Sequence, residues 1–440
     1  MVAPTIVSRA DHPISRERID SDALKVLYRL RKFNHTAYLV GGGVRDLLLD
    51  RRPKDFDIAT SAHPHEVKRL FRNCWIIGRR FRLAHVKFGN NTIEVATFRR
   101  QVPADVAAGA HAGPATASGP GSTPDPAPGT ERSGAQGAGD KAGFRRRPIR
   151  RDNTFGTPEE DAFRRDFTIN ALFYDISTYA VIDYVGGMGD LRRRLIRCIG
   201  DPNERFLEDP VRMLRAVAFA ARLDFRLDGP VREAIARLGG EIVHASPARL
   251  TEEVYKLLRS GAATRTFRRL SRTGLLRHIA PEVNHPRSTA LWRSLEALDA
   301  YRARFDAPPD TLSNAILLGS LLAPVQTLDL TPPRREARAA PVRVSLGDLP
   351  LARRDVEHLR QVLALQPLLK DPHLPPHKVR GILARSSLRE ALTWLEIHGG
   401  DPDAQARWED LVAHGLRPTR RRKRRRGRRR RRPRPEPAAE

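Results

Sequence analysis

Residues 38–60 read YLVGGGVRDLLLDRRPKDFDIAT. The apolar start predicts a strand ending at Val40, Gly41-Gly42-Gly43 a turn, Val44 to Leu49 a short helix, and Phe56 to Thr60 a second strand. A strand, glycine turn and helix start in this order can receive phosphate through backbone N–H groups. The stretch is not a P-loop, because no Gly-Lys-Ser/Thr follows, and it lacks the third Gly of a dinucleotide fingerprint. About a dozen residues on stand Asp55 and Asp57. In a strand they share one face with Cα atoms roughly 6.5 Å apart, while Phe56 and Ile58 turn to the core. Two ionised carboxylates there repel unless a divalent cation joins them, and Mg²⁺ can do so while binding substrate phosphates. A solvated surface pair is the alternative for the acids alone; the glycine turn ahead of them favours the cation site.

Outward from this stretch, Ala23, Val26, Leu27 and Leu30 recur at i, i+3, i+4 and i+7 and predict a helix to about Phe33. Ala37–Val40, Trp75–Ile77, Leu83–Phe88 and Ile93–Phe98 read as further strands, with a helix over Pro64–Phe71. Residues 103–147 are Ala/Gly/Pro/Ser-rich with almost no large apolar side chain, so a disordered insertion is expected. Thr157-Pro158-Glu159-Glu160 is a capping box with Pro at the first helical position. VIDYVGGMGDL (181–191) reads as a short hairpin. Beyond Asp201 only helical periodicity is found, as in Leu250, Val254, Leu257 and Leu258 after the Ser246-Pro247 start.

At 440 residues the chain has room for two or three domains. No window approaches 18 apolar residues, which argues against a membrane span, and MVAPTIVSRADHPIS lacks the apolar core of a signal peptide. Cys74 and Cys198 fit no metal spacing and suit a reducing compartment, so the cytoplasm is the expected location. The net charge is +28, and residues 417–440 hold fourteen Arg/Lys against two Glu. This favours a polyanionic partner, nucleic acid ahead of membrane, with a generic solubilising tail as the alternative for the run alone.

Further constellations lie downstream. If Asp166 and Asn170 are on one helix they share a face, and with Arg165 they offer an acceptor, an amide and a cation. Asp209 and Arg212, three apart, and Arg215, one turn on, would likewise be helix neighbours. An acceptor beside a forked donor matches a base edge with an amino group next to a ring nitrogen, which adenine and cytosine present and guanine and uracil do not. Simple helix ion pairs are the alternatives. Glu94, on IEVATF, is either a third carboxylate near the acids or part of a plain edge-strand salt bridge.

GGGVRD and DFD (41–57), RRDFTINALFYD (164–175) and RFLEDPVRMLRAVAFAARL (205–223) resemble, in order, the motifs of the class II nucleotidyltransferases. This is the family of CCA-adding enzymes and bacterial poly(A) polymerases within the polymerase-β-like superfamily, and the likeness covers roughly residues 36–260 outside the insertion. It implies an α+β fold: a flexible extension (1–20), a small mixed-sheet nucleotidyltransferase head (21–200), a helical nucleobase-reading neck (201–260), a helical RNA-binding body (261–416) and a disordered Arg-rich tail (417–440). It also implies Mg²⁺ on Asp55 and Asp57, with Asp166 counted among the catalytic acids. Gly42, Gly43, Arg45, Asp46, Arg165 and Asn170 would contact the incoming nucleotide, and Asp209, Arg212 and Arg215 its base. GRRFRLAHVKFG (78–89), which as a strand would line Arg80 and Arg82 on one face opposite Phe81 and Leu83, resembles the poly(A) polymerase branch more closely, as does the arginine-rich tail. The activity so implied is template-independent addition of AMP from ATP to RNA 3′ ends. CCA addition to tRNA is the alternative within the family, and non-catalytic RNA binding the alternative from another class.

Overall fold

The computed structural model describes residues 3–78, 82–100, 154–284, 288–325 and 344–414. The expected insertion over 103–147, Arg80 and the tail over 417–440 lie outside the described residues.

The head is built on one sheet. Its strands are β1 (Thr5–Val7), β2 (Ala37–Val40), β3 (Asp57–Thr60), β4 (Cys74–Ile77), β5 (Leu83–Phe88), β6 (Asn91–Thr97), β7 (Leu172–Tyr174) and β8 (Val181–Asp183). They form an eight-stranded sheet in the order β1-β8-β7-β2-β3-β6-β5-β4. β3 and β6 run parallel and the remaining neighbours antiparallel, so the sheet is mixed. Helix α1 (Ser21–Lys32) starts where the Asp20 carboxylate accepts the N–H groups of Asp22 and Ala23, and buries Ala23, Val26, Leu27 and Leu30. With α3 (Pro64–Leu70) it covers one face of the sheet, where alternate residues such as Leu39, Ile58, Ile93 and Val95 join the main core. A smaller apolar cluster of Val40, Ala59, Phe98, Ala162 and Phe173 lies on the opposite face. There α4 (Pro158–Phe163) is closed by the Thr157–Glu160 capping box.

Several sequence expectations are corrected. The hairpin placed over 181–191 is instead β7 paired with β8, because Gly187–Arg192 turns into a short helix whose first N–H groups are collected by the Asp183 carboxylate. Asp166 and Asn170 do not share a helix: α4 ends at Phe163, and Thr168–Asn170 is a separate 3-10 turn. Arg82 is not on a strand face either, since it takes φ 40 and β5 begins at Leu83. Beyond Asp201 the described residues form helices joined by turns, with β pairing at Arg226–Leu227, parallel to Leu195–Ile196, and an isolated bridge between Leu346 and Asp348. α5 (Pro202–Glu208) and α6 (Val211–Leu223) are separate helices, because Asp209 is extended (φ −146, ψ 93) and Pro210 cannot donate the N–H that would continue α5. Asp209 and Arg212 are therefore not neighbours on one helix. α7 (Gly229–Leu238), α8 (Pro247–Leu258) and α9 (Ala263–Arg272) follow. Further on, Thr289–Arg302, Asn314–Leu322, Arg353–Lys370 and Leu388–Trp394 pack in succession, one against the next. Among the described residues no helix is long and apolar enough to cross a membrane.

Candidate active site

The antiparallel register of β2 and β3 sets Val40 opposite Asp57, so the glycine turn leaves β2 at the level where the acid segment enters β3. Gly41 has φ 72 and ψ −130, a conformation open to glycine and strained for other residues. A Cβ there would also stand 3.2 Å from the Arg165 guanidinium. A Cβ at Gly43 would stand 3.3 Å from the Asp55 carbonyl oxygen, so the turn and the Asp55–Asp57 segment abut directly. Helix α2 (Gly42–Leu48) follows with no side chain capping its start.

Asp55 precedes the strand, its carboxylate largely exposed and 3.8 Å from Lys54 Nζ. The Asp57 side chain is also solvent-accessible, yet its pKa is raised to about 6, first because the surrounding protein displaces water from around it, then because Glu94 and Asp55 crowd it with negative charge; Arg165 pulls it back. Glu94 lies on an interior strand, its carboxylate 3.6 Å from His85 Nε2. The strand is not at an edge, so the expected edge-strand salt bridge is corrected to a contact with His85 inside the sheet, and the charge of Glu94 also acts on Asp57. Among the described residues no group of three or more His, Cys, Asp and Glu could hold a metal ion. Asp55 and Asp57 nonetheless fit Mg²⁺, which takes one or two carboxylates and completes its shell from water and substrate phosphates. The mutual crowding of the acids is what a bound cation relieves.

Behind the turn lies a buried polar network. Arg45, 2% exposed, donates from Nε to Asp46 at 2.8 Å and from Nη1 to Asn170 Oδ1 at 2.5 Å. Asn170 Nδ2 donates to Asp166 Oδ1 at 3.2 Å. Asp166 accepts a further bond from Phe167 N–H, and its Oδ2 takes both Nε and Nη2 of Arg215 at 2.8 and 2.6 Å. Burial alone would raise the Asp166 pKa, but the Arg215 guanidinium and these donors hold it below the usual carboxylate range. Arg165 is gripped by buried Asp161 through Nε at 3.1 Å and Nη2 at 2.9 Å, with its Nη1 3.3 Å from the Asn170 carbonyl. α6 contributes Arg215, Phe219 and Arg222 at i, i+4 and i+7. The Phe219 ring faces the guanidinium carbons of Arg45, Arg215 and Arg222, each at 5.3 Å. Burial, and then the nearby Arg45, lower the Arg222 pKa to about 10.

The base-reading candidates have partners that sequence spacing did not reveal. Asp209 is gripped by Arg249 of α8, Nη1 to Oδ1 at 3.0 Å and Nη2 to Oδ2 at 2.8 Å. Arg212 bonds to Glu208 and to the Arg205 carbonyl, the latter at 2.9 Å, and Glu208 also takes Arg205 at 2.8 Å. The structure thus brings together Gly42, Gly43, Arg45, Asp46, Asp55, Asp57, Arg165, Asp166, Asn170 and Arg215, whereas Asp209 and Arg212 are each braced by a different neighbour. Asp161 was legible in hindsight as an i, i+3 and i, i+4 acceptor for Arg164 and Arg165. Nothing local marked Arg249, forty residues from its partner.

A family model described as the Poly A polymerase head domain matches residues 37–197, and one described as the probable RNA and SrmB-binding site of polymerase A matches 224–285. The chain is 48% identical over 279 residues to poly(A) polymerase I of Salmonella typhi, covering 63% of this chain and 54% of that protein. It is 34% identical over 257 residues to the CCA-adding enzyme of Bacillus velezensis, covering 58% of this chain and 55% of that one. It therefore spans about half the length of the curated relatives it matches. Among solved structures, the Bacillus stearothermophilus CCA-adding enzyme in complex with CTP is similar with TM-score 0.52 and 25% identity, over 89% of this chain and 80% of that one. Over residues 37–285, where the glycine turn and the acid segment are arranged as described, the chain is thus similar to poly(A) polymerases and CCA-adding enzymes.

Proposed function

We propose that the protein adds AMP from ATP to RNA 3′ ends without a template. The observation that carries this reading is the abutment of the glycine turn on the Asp55–Asp57 segment, within a region 39–48% identical to poly(A) polymerase I proteins and 34–35% identical to CCA-adding enzymes. Asp55 and Asp57 would hold a divalent cation, which when bound neutralises triphosphate charge and lowers the pKa of an attacking hydroxyl. Arg165, fixed beside Gly41 by Asp161, would offer its guanidinium to the phosphates. Gly43 lets the acid segment abut the turn, and Gly42 would let the nucleotide approach the backbone closely.

The remaining polar groups act through these. Asp166 has both oxygens engaged and Arg45 is buried behind the turn, so we assign both to positioning: they tie α6 to α2 and keep the turn in place. Asp46 and Asn170 complete that tie. Arg212 is offered to the base by Glu208, and Asp209 is held still by Arg249. Two braced groups present one fixed edge, which suits an enzyme that accepts one base at every step rather than three in sequence. The rest is positioning and charge neutralisation, with no covalent enzyme intermediate.

The test gives the purified chain a generic RNA and each nucleoside triphosphate separately. Long tracts with ATP alone are expected; addition of C, C and A to tRNA and nothing further would establish a CCA-adding enzyme instead.

A further inference from the structure

α1 and α3 cover one face of the head sheet, and a row of side chains crosses the other face at the level of Asp57. Asp57 lies beside Glu94, each one residue before the registered pair Ile58 and Val95. Glu94 is the cross-strand partner of His85, and His85 of Trp75. Cross-strand partners point to one face, so the row runs from the acid segment to the sheet edge in three interstrand steps, roughly 14 Å. It ends on Trp75, 54% exposed, with Ile77 on the same face 50% exposed. The other tryptophans, Trp292, Trp394 and Trp408, are at most 8% exposed. On the same face as the row Lys87, two residues along β5 from His85, is exposed, while His85 stands against Glu94, the acid in its path.

On the proposed function, an RNA 3′ end at Asp57 must continue somewhere, and among the described residues this row is an uncovered track with a basic side chain beside it and an aromatic surface at its end. We propose that Trp75 is a stacking platform for a base a few nucleotides upstream of the RNA 3′ end, with Lys87 beside the intervening backbone. Stacking on an indole does not depend on base identity, which suits an enzyme that accepts many 3′ ends. A second copy pairing along the β4 edge is the competing occupant, and the test separates the two.

The full chain is titrated without ATP against single-stranded oligo(A) of about a dozen nucleotides, a length within the range such sites cover, and against a dinucleotide. The longer RNA should quench tryptophan fluorescence and the dinucleotide should not; Trp75→Phe should abolish the quenching while keeping most of the affinity. In extension assays Trp75→Ala should raise KM for RNA about five- to hundredfold, with KM for ATP unchanged and Trp75→Phe restoring most of the loss. Wild-type KM for RNA in Trp75→Ala, or quenching that persists in Trp75→Phe, would overturn the platform. So would a dimer in sedimentation that Trp75→Ala dissociates while RNA affinity stays unchanged. If the unaltered chain extends no RNA, the proposed function itself falls, and the platform with it.

Discussion

Replacing Arg215 with Ala removes the guanidinium that grips Asp166 and leaves that carboxylate, 13% exposed, with only Asn170 and the Phe167 N–H. Breaking a fully buried ion pair from one side costs about 3–5 kcal/mol. The Arg215 side chain is 34% exposed, so solvent screens the pair and we expect the lower part of that range or below, about 2–3 kcal/mol. For a domain of 150–250 residues this lowers Tm by roughly 4–12 °C. The sign with pH follows from the lowered Asp166 pKa. The pair contributes stability above the unfolded carboxyl value of 3.8 and loses it as pH falls through the still lower folded value. Without Arg215 burial dominates and the Asp166 pKa rises, so the deficit should be full at pH 7 and shrink towards pH 4. Adding Asp166→Asn to Arg215→Ala should recover part of the loss, since no uncompensated charge remains. Because the network reaches Arg45 behind the glycine turn, KM for ATP should rise in the single variant. Thermal unfolding at the two pH values, with ATP kinetics alongside, checks this. A Tm at pH 7 within about 1 °C of the parent protein, or a deficit independent of pH, would refute the reasoning.

Arg249→Ala should barely change stability, because an ion pair with one half-exposed partner contributes about 0–1 kcal/mol. By releasing Asp209 it should cut the preference for ATP over CTP about tenfold or more, measured as the ratio of kcat/KM values. Asp57 has a raised pKa, so its ionised form is disfavoured in the fold; the destabilisation grows as pH rises from about 4 through 6 and levels off above. Asp57→Asn should therefore raise Tm at pH 8 and leave it nearly unchanged at pH 4, as thermal unfolding will read. Protons and cations compete for Asp57, so the acid limb of the activity profile should move to lower pH as Mg²⁺ is raised.

Elements whose side chains carry a period were legible in the sequence. α1 was readable because Ala23, Val26, Leu27 and Leu30 make one buried face, and β3 because Asp57 and Ile58 divide between solvent and core. What could not be read was pairing across long separations. Arg45 with Asn170, Asp166 with Arg215 and Asp209 with Arg249 join segments that no local spacing relates. The helical continuity assumed at Asp166 and Asp209 failed for a local reason that propensity underweights: a turn whose side chains bond outside the helix, and a proline. These failures fall at the site, where Asp166 and Asp209 point away from regular helices to meet partners on other elements.

The central claim is that Asp55 and Asp57 beside the glycine turn form the centre of nucleotidyl transfer. Its most direct test is Asp57→Asn assayed for extension of a generic RNA with ATP and Mg²⁺, with RNA binding measured on the same preparation. The account predicts extension reduced about a thousandfold or more while RNA affinity stays within a few fold of the unaltered protein. Extension at near the unaltered rate would contradict it.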